Sequence, residues 1–233
     1  MTDVLQPSSP TGATSSTAAP ADQEPSSTNG TATAWPEGVP MHMTFDEFLT
    51  WDQEGVRAEW VAGEVVLVSP VRANHQYLMQ FLYELIIMFV RAHQLGKVLL
   101  APMLMRLPQR PSGREPDLMF IATAHADRIK ETYVDGAADL VIEIVSPESE
   151  ERDRATKFLE YEAAEIPEYW LVDPLRREAH FYLLGEDGRY HAHPVAADGL
   201  YRSRVLAGFR LRVDWLWRDP LPAPDAALRE LPA

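Results

Sequence analysis

The sequence predicts an α/β fold: a central mixed β-sheet flanked by helices, with an N-terminal β-hairpin. Three observations lead there. The short apolar runs 118–121, 140–145 and 169–172 have the length and composition of buried strands. A polar helical segment separates the last two, so strand, helix and strand form a crossover and a parallel pair. Residues 74–94 carry Leu78, Phe81, Leu82, Leu85, Ile86, Phe89 and Val90 at helical spacing, which marks a long amphipathic helix.

The remaining elements follow in chain order. Residues 1–40 are rich in Ser, Thr, Ala and Pro and show no hydrophobic period, so they are expected to be a disordered tail without chemistry. Thr44 and Glu47 form a capping-box pattern before a short helix that ends near Asp52. Strands over 57–61 and 64–68 flank Ala62-Gly63 as a hairpin. Gly96 is placed to stop the long helix. Residues 98–101 and 103–107 are strand-like, and 109–113 is a turn. The strand at 118–121 precedes a helical stretch over 124–130, and the strand at 140–145 precedes a helix over 149–162. Asp173-Pro174 ends the strand at 169–172. Residues 179–184 and 190–195 make a second hairpin. Residues 219–233 contain four prolines and are expected to be a loose tail with at most one helical turn, which leaves 41–218 as the domain.

Composition removes several function classes. A chain of 233 residues allows one sizeable domain or two small ones. It has no cysteine, which excludes disulfides, zinc–thiolate sites and cysteine nucleophiles and fits a reducing cytoplasm. No apolar run reaches the roughly 18–20 residues of a membrane span; the best, 77–90, is broken by Gln80 and Glu84. With no signal-peptide pattern at the N-terminus, the expected location is cytoplasmic. The net charge of −14 argues against non-specific coating of nucleic acid, which usually needs a basic surface. Basic residues near the candidate site in sequence are Arg106, Arg110, Arg114, Arg152 and Arg154.

Asp117 and Glu143 carry the chemistry. Each sits in or at the mouth of a short apolar strand. A carboxylate there costs several kcal/mol unless it is paired or binds a cation. Side by side, with the carbonyl of Val145, they would form a hard-oxygen site for Mg²⁺ or Mn²⁺, the chemistry of metal-assisted phosphodiester cleavage. The competing reading has Asp117 capping a turn and Glu143 in a salt bridge. On the following helix, Asp153, Lys157 and Tyr161 recur every four residues and share a face. Lys157 is either half of a surface ion pair or a charge aimed at the metal site. As a helix-surface residue it is expected to matter for turnover rather than stability.

The segments RAEWVAGEVVLVSPVRANHQ, REPDLMFI, ADLVIEIVSPES and DRATKFLEYEAAEIPEYWLVDP occur in that order and are followed by a hairpin. Together, from residue 43 to about 215, they resemble the Uma-type family of restriction-endonuclease-like proteins, a branch of the PD-(D/E)XK nuclease superfamily. The resemblance implies a restriction-endonuclease-like core with Asp117 and Glu143 as metal ligands. The superfamily's lysine usually lies two residues after the strand acid. Here that position is Val145, and the resemblance moves the role to Lys157. In similar proteins an acid near the first hairpin joins the site, which makes Glu59 and Glu64 candidates; each reads equally well as an exposed strand carboxylate. His75 is a candidate that also reads as a helix-start cap. His191 and His193 read as surface residues, and Tyr169, Trp170, Trp215 and Trp217 as core or interface. The expected function is a Mg²⁺-dependent DNA endonuclease acting as a homodimer. The alternative is a non-catalytic dimeric interaction protein on a nuclease fold.

Overall fold

A computed structural model of the chain describes residues 35, 36, 38–51, 55–68, 71–146 and 152–230, the last without the side chains of 152–154. Residues 1–34 of the tail expected over 1–40 and the start of the helix expected at 149 lie outside them, while Val39, expected in that tail, is buried against the hairpin. The compact unit runs from Gly38 to Ala233.

It opens with α1 (Phe45–Thr50). Thr44 and Glu47 close the capping box in both directions: the Glu47 backbone N–H donates to Thr44 Oγ1 at 3.2 Å, and the Thr44 backbone N–H donates to the Glu47 carboxylate at 2.7 Å. The hairpin of β1 (Ala58–Val61) and β2 (Glu64–Leu67) follows. It joins a second sheet that the sequence left unread. β5 (Ser112–Arg114) pairs with β1 and with β4 (Leu104–Leu107), and β4 pairs in parallel with β7 (Tyr133–Asp135), giving the order β2-β1-β5-β4-β7. Residues 112–114, expected within or after a turn, are thus a buried strand.

The central sheet has six strands in the order β11-β10-β9-β8-β6-β3. These are β3 (Gly96–Leu100), β6 (Leu118–Ala122), β8 (Leu140–Ile144), β9 (Glu168–Asp173), β10 (Glu178–Leu184) and β11 (Tyr190–Ala192). Only β8 and β9 run parallel; the other pairs are antiparallel, so the sheet is mixed as expected. The crossover between β8 and β9 carries a π-helical turn (Arg152–Lys157) and α3 (Phe158–Ala163).

The period-two alternation of these strands feeds two cores. On one face Leu140, Ile142 and Ile144 of β8 pack with the apolar stripe of α2 (Ala73–His93). On the other, Val141 and Val145 pack with Tyr161 and Ala164 and with Met105, Leu107 and Val134 of the second sheet. α2 ends on Gln94 in a left-handed conformation, not on Gly96. Gly96 opens β3, where a Cβ would fall 2.0 Å from the Ile121 carbonyl oxygen. Its role is close strand approach rather than capping.

The C-terminal third also differs from expectation. β12 (Leu200–Arg202) and β13 (Arg210–Arg212) form a small ribbon. Its neighbourhood is fastened by Glu168, which is 0% exposed. That carboxylate accepts from Trp170 Nε1 (2.7 Å), Tyr201 OH (2.8 Å), Ser203 Oγ (3.0 Å) and the backbone N–H groups of Arg204 (2.9 Å) and Val205 (2.8 Å). Beyond residue 219 the chain forms α4 (Pro224–Glu230), with Ala227 buried in the α2-side core and Leu221 and Leu228 packed against it. The expected loose tail is therefore an integral helix, because Ala227 and Leu228 share an apolar face that four nearby prolines obscured. Tyr169, Trp170 and Trp215 are fully buried, as core residues. Among the described residues no helix is long and apolar enough to cross a membrane.

Candidate functional site

On β8, Ile142 and Ile144 face α2, so Glu143 between them faces α3, where it is 2% exposed. Its Oε1 accepts from Lys157 Nζ at 2.9 Å and from Tyr161 OH at 2.6 Å. Lys157 ends the π-helical turn and Tyr161 lies one α-turn later in α3, so the four-residue spacing read from the sequence delivers both donors to one carboxylate. Asp153, the third residue of that pattern, has no described side chain. Burial, then the Glu143 charge beside it, push the Tyr161 phenol well above its ordinary pKa. The phenol therefore stays protonated and donates.

Lys157 is not the surface residue the helix pattern suggested. It is 4% exposed, and its ammonium also lies 3.5 Å from Glu59 Oε1. Glu59 on β1 reaches the same cluster, beside Arg114 of the neighbouring β5. Glu59 Oε2 accepts from Arg114 Nη1 at 2.8 Å, and Arg114 binds Glu160 of α3 through Nε and Nη2, both at 2.7 Å. Burial alone would lower the Arg114 pKa. The bonds to Glu160 and the charges of Glu59 and Glu160 outweigh burial and raise it. Sequence reading found Glu59, listed Arg114 only as a nearby basic residue, and passed over Glu160. A buried Arg in a three-residue polar strand has no local signature; the one available hint was a second carboxylate, Glu160, one residue before Tyr161.

Asp117 immediately precedes β6. Leu118 pairs with Ile142 in the antiparallel register, and continuing that register sets Asp117 opposite Glu143. Asp117 Oδ2 accepts from the Ile144 backbone N–H at 2.7 Å and lies 3.1 Å from His75 Nε2. The structure thus brings Asp117, Glu143, Lys157, Glu59 and His75 to one end of the β6–β8 pair. His75 is in the first turn of α2 and is buried, with Nδ1 unpartnered. Glu64 is not brought in. It is exposed at the turn end of the hairpin, opposite Val61. β2 enters the sheet after a tight Ala62-Gly63 turn, and this carries Glu64 away from Glu59. Arg106, near the site in sequence, pairs with Asp135 and lies over Phe45. His191 is exposed and bonded to Asp187, as a surface residue.

Among the described residues no three His, Cys, Asp or Glu side chains converge as a metal cage. The donors the structure shows at the strand ends are the carboxylates of Asp117 and Glu143. That suits a hard cation such as Mg²⁺, which commonly takes one or two carboxylates and completes its shell with water and phosphate oxygens. An ammonium already lies against Glu143 and Glu59, so these positions are built around positive charge.

No curated protein matches the chain. Among solved structures, it is similar to a putative nuclease belonging to DUF820 from Anabaena variabilis, at 18% identity and a TM-score of 0.62 over 75% of this chain and 97% of that one; the likeness is one of fold. The Uma2 family, described as "Putative restriction endonuclease", matches residues 45–214, which span the hairpin, both acids and the crossover lysine. The chain therefore belongs to the Uma2 family.

Proposed function

We propose that the protein is a divalent-metal-dependent endonuclease that hydrolyses phosphodiester bonds of DNA. The observation that carries this reading is Asp117 set opposite Glu143 on adjacent strands, with Lys157 bonded to Glu143. In the proposal Asp117, Glu143 and the Val145 carbonyl hold Mg²⁺ or Mn²⁺, which supplies Lewis acidity to a bound water and to the phosphate. The chain's own groups do the positioning. The Ile144 N–H and His75 fix the Asp117 carboxylate, and Tyr161 fixes Glu143. Lys157, shared between Glu143 and Glu59, carries the positive charge that orients the attacking water or stabilises the phosphate as negative charge develops. Arg114 holds Glu59 in register with Glu160 and so keeps the second partner of Lys157 in place.

Two readouts test this. Mn²⁺ should raise the melting temperature of the wild type and not that of Asp117→Ala. Mg²⁺-dependent nicking of supercoiled plasmid should fall by about 10²-fold or more in Asp117→Asn and Glu143→Gln. An unchanged Mn²⁺ shift in Asp117→Ala would remove this pair as the metal site.

The same reading takes the active form as a cytoplasmic homodimer. Two-fold dimers are the commonest oligomers, Met88 and Leu159 add exposed apolar surface, and the lack of cysteine suits a reducing compartment. Light scattering should give about twice 26.3 kDa at low and high salt, and a monomer mass would overturn it.

A further inference from the structure

We infer that an unpaired stretch of DNA is bound in the groove between the N-terminal half of α2 and residues 216–224, with its bases against Tyr77 and Trp217 and its backbone at Arg177. The identity of the strand as DNA rests on the function proposed above; the groove itself does not.

The groove has a cavity volume of about 630 Å³, ample for more than one nucleotide. It adjoins the His75 end of the candidate site. Asn74 and Pro174 line it, and they also line a small cleft with His75, Val145 and Ser146 at the strand ends. A strand lying in the groove would therefore end beside His75, whose Nε2 is 3.1 Å from Asp117.

The chemistry of the lining suits unpaired nucleotides. Tyr77 is 64% exposed, on the side of α2 away from the core, and Trp217 across the groove is half-buried. A large aromatic face left in solvent is a stacking platform for any base whose own face is uncovered. Bases inside a duplex have both faces covered, so this platform favours a single strand. Asn74, Gln80 and Asp219 present amide and carboxylate groups of the kind that bond base edges. The cation comes from Arg177, which is exposed in the turn between β9 and β10 and has no side-chain partner among the described residues. A guanidinium not tied to a carboxylate is what a phosphate needs. It also answers the net charge of −14: binding here needs a local cation and stacking, not a basic surface.

The test is fluorescence anisotropy of the full chain in EDTA, with a labelled mixed-sequence 12-nucleotide single strand and its duplex. The single strand should bind more tightly than the duplex. Tyr77→Ala should weaken it about 5- to 150-fold. Arg177→Ala should lower the slope of log affinity against log salt by about 0.7. Both side chains are exposed, so the variants keep the wild-type melting temperature. Wild-type affinity in Tyr77→Ala, or preference for the duplex, overturns the inference. Tyr77-dependent binding without metal-dependent cleavage would sink the nuclease proposal and leave the groove standing. Cleavage of single strands with an unchanged KM in Tyr77→Ala would do the reverse.

Discussion

Replacing Lys157 by alanine removes an ammonium bonded to Glu143. The carboxylate it leaves is 2% exposed and keeps the Tyr161 hydroxyl, a neutral donor, while Glu59 keeps Arg114. Stripping one partner from a buried ion pair costs about 3–5 kcal/mol, because the remaining charge stays desolvated. The surface-helix expectation was about 0.5 kcal/mol or less, so the two are well separated. For a domain of this size each kcal/mol moves the melting temperature by about 2–4 °C, which makes the expected loss roughly 6–20 °C in scanning calorimetry. Lys157→Met, which keeps the stem but not the charge, should lose nearly as much. Lys130→Ala is the control, since the exposed Lys130 ammonium donates to the Asp127 carbonyl and, among the described residues, pairs with no carboxylate. At a temperature where every variant is folded, plasmid nicking should fall about 10²-fold in both Lys157 variants and stay unchanged in Lys130→Ala. A melting temperature within about 1 °C of wild type would refute the buried counter-ion argument, and equal nicking in all variants would remove Lys157 from the chemistry.

Three further outcomes are expected. A chain starting at Val39 should keep its melting temperature, since Val39 is the first residue packed in the hairpin's apolar cluster; a loss of several degrees would show that earlier residues dock. Deleting residues 219–233 should lower the melting temperature by several degrees, because Ala227 and its neighbours leave the core, and an unchanged value would return α4 to the status of a loose tail. The Tyr190 backbone N–H, then Arg189, hold the Glu162 carboxyl below its ordinary value of 4.5. Its stabilisation is therefore present above that pH and lost as pH falls through the lower folded value. Glu162→Gln should flatten the fall in melting temperature below about pH 4.5, and a curve parallel to wild type would refute the assignment.

What the sequence revealed was whatever local spacing encodes. α2, β6, β8 and β9 are apolar runs of distinct period and length, and Lys157 and Tyr161 reach Glu143 because four residues make one helical turn. The pairing of Asp117 with Glu143 followed from two short strands expected to be neighbours. What it hid depends on contacts distant in sequence. Arg114 meets Glu59 and Glu160 at separations of 55 and 46 residues, and neither meeting has a periodic trace. Glu168 carried no reading in the sequence, yet 33 to 37 residues later the chain returns four donors to it. The burial of Lys157 was missed for the same reason: Glu59, the hairpin carboxylate beside it, is nearly a hundred residues upstream.

The β8–β9 crossover has a consequence for when the site comes into being during synthesis. Residues up to Ile144 already contain both acids and can pair β6 with β8 antiparallel once the connection over 123–139, which carries β7, has formed. The lysine arrives only with the crossover, and its segment is fixed only once β9 has docked in parallel beside β8. A nascent or partly unfolded chain thus carries two acids without their cation, and under the proposed mechanism it is inert toward DNA until the sheet is complete.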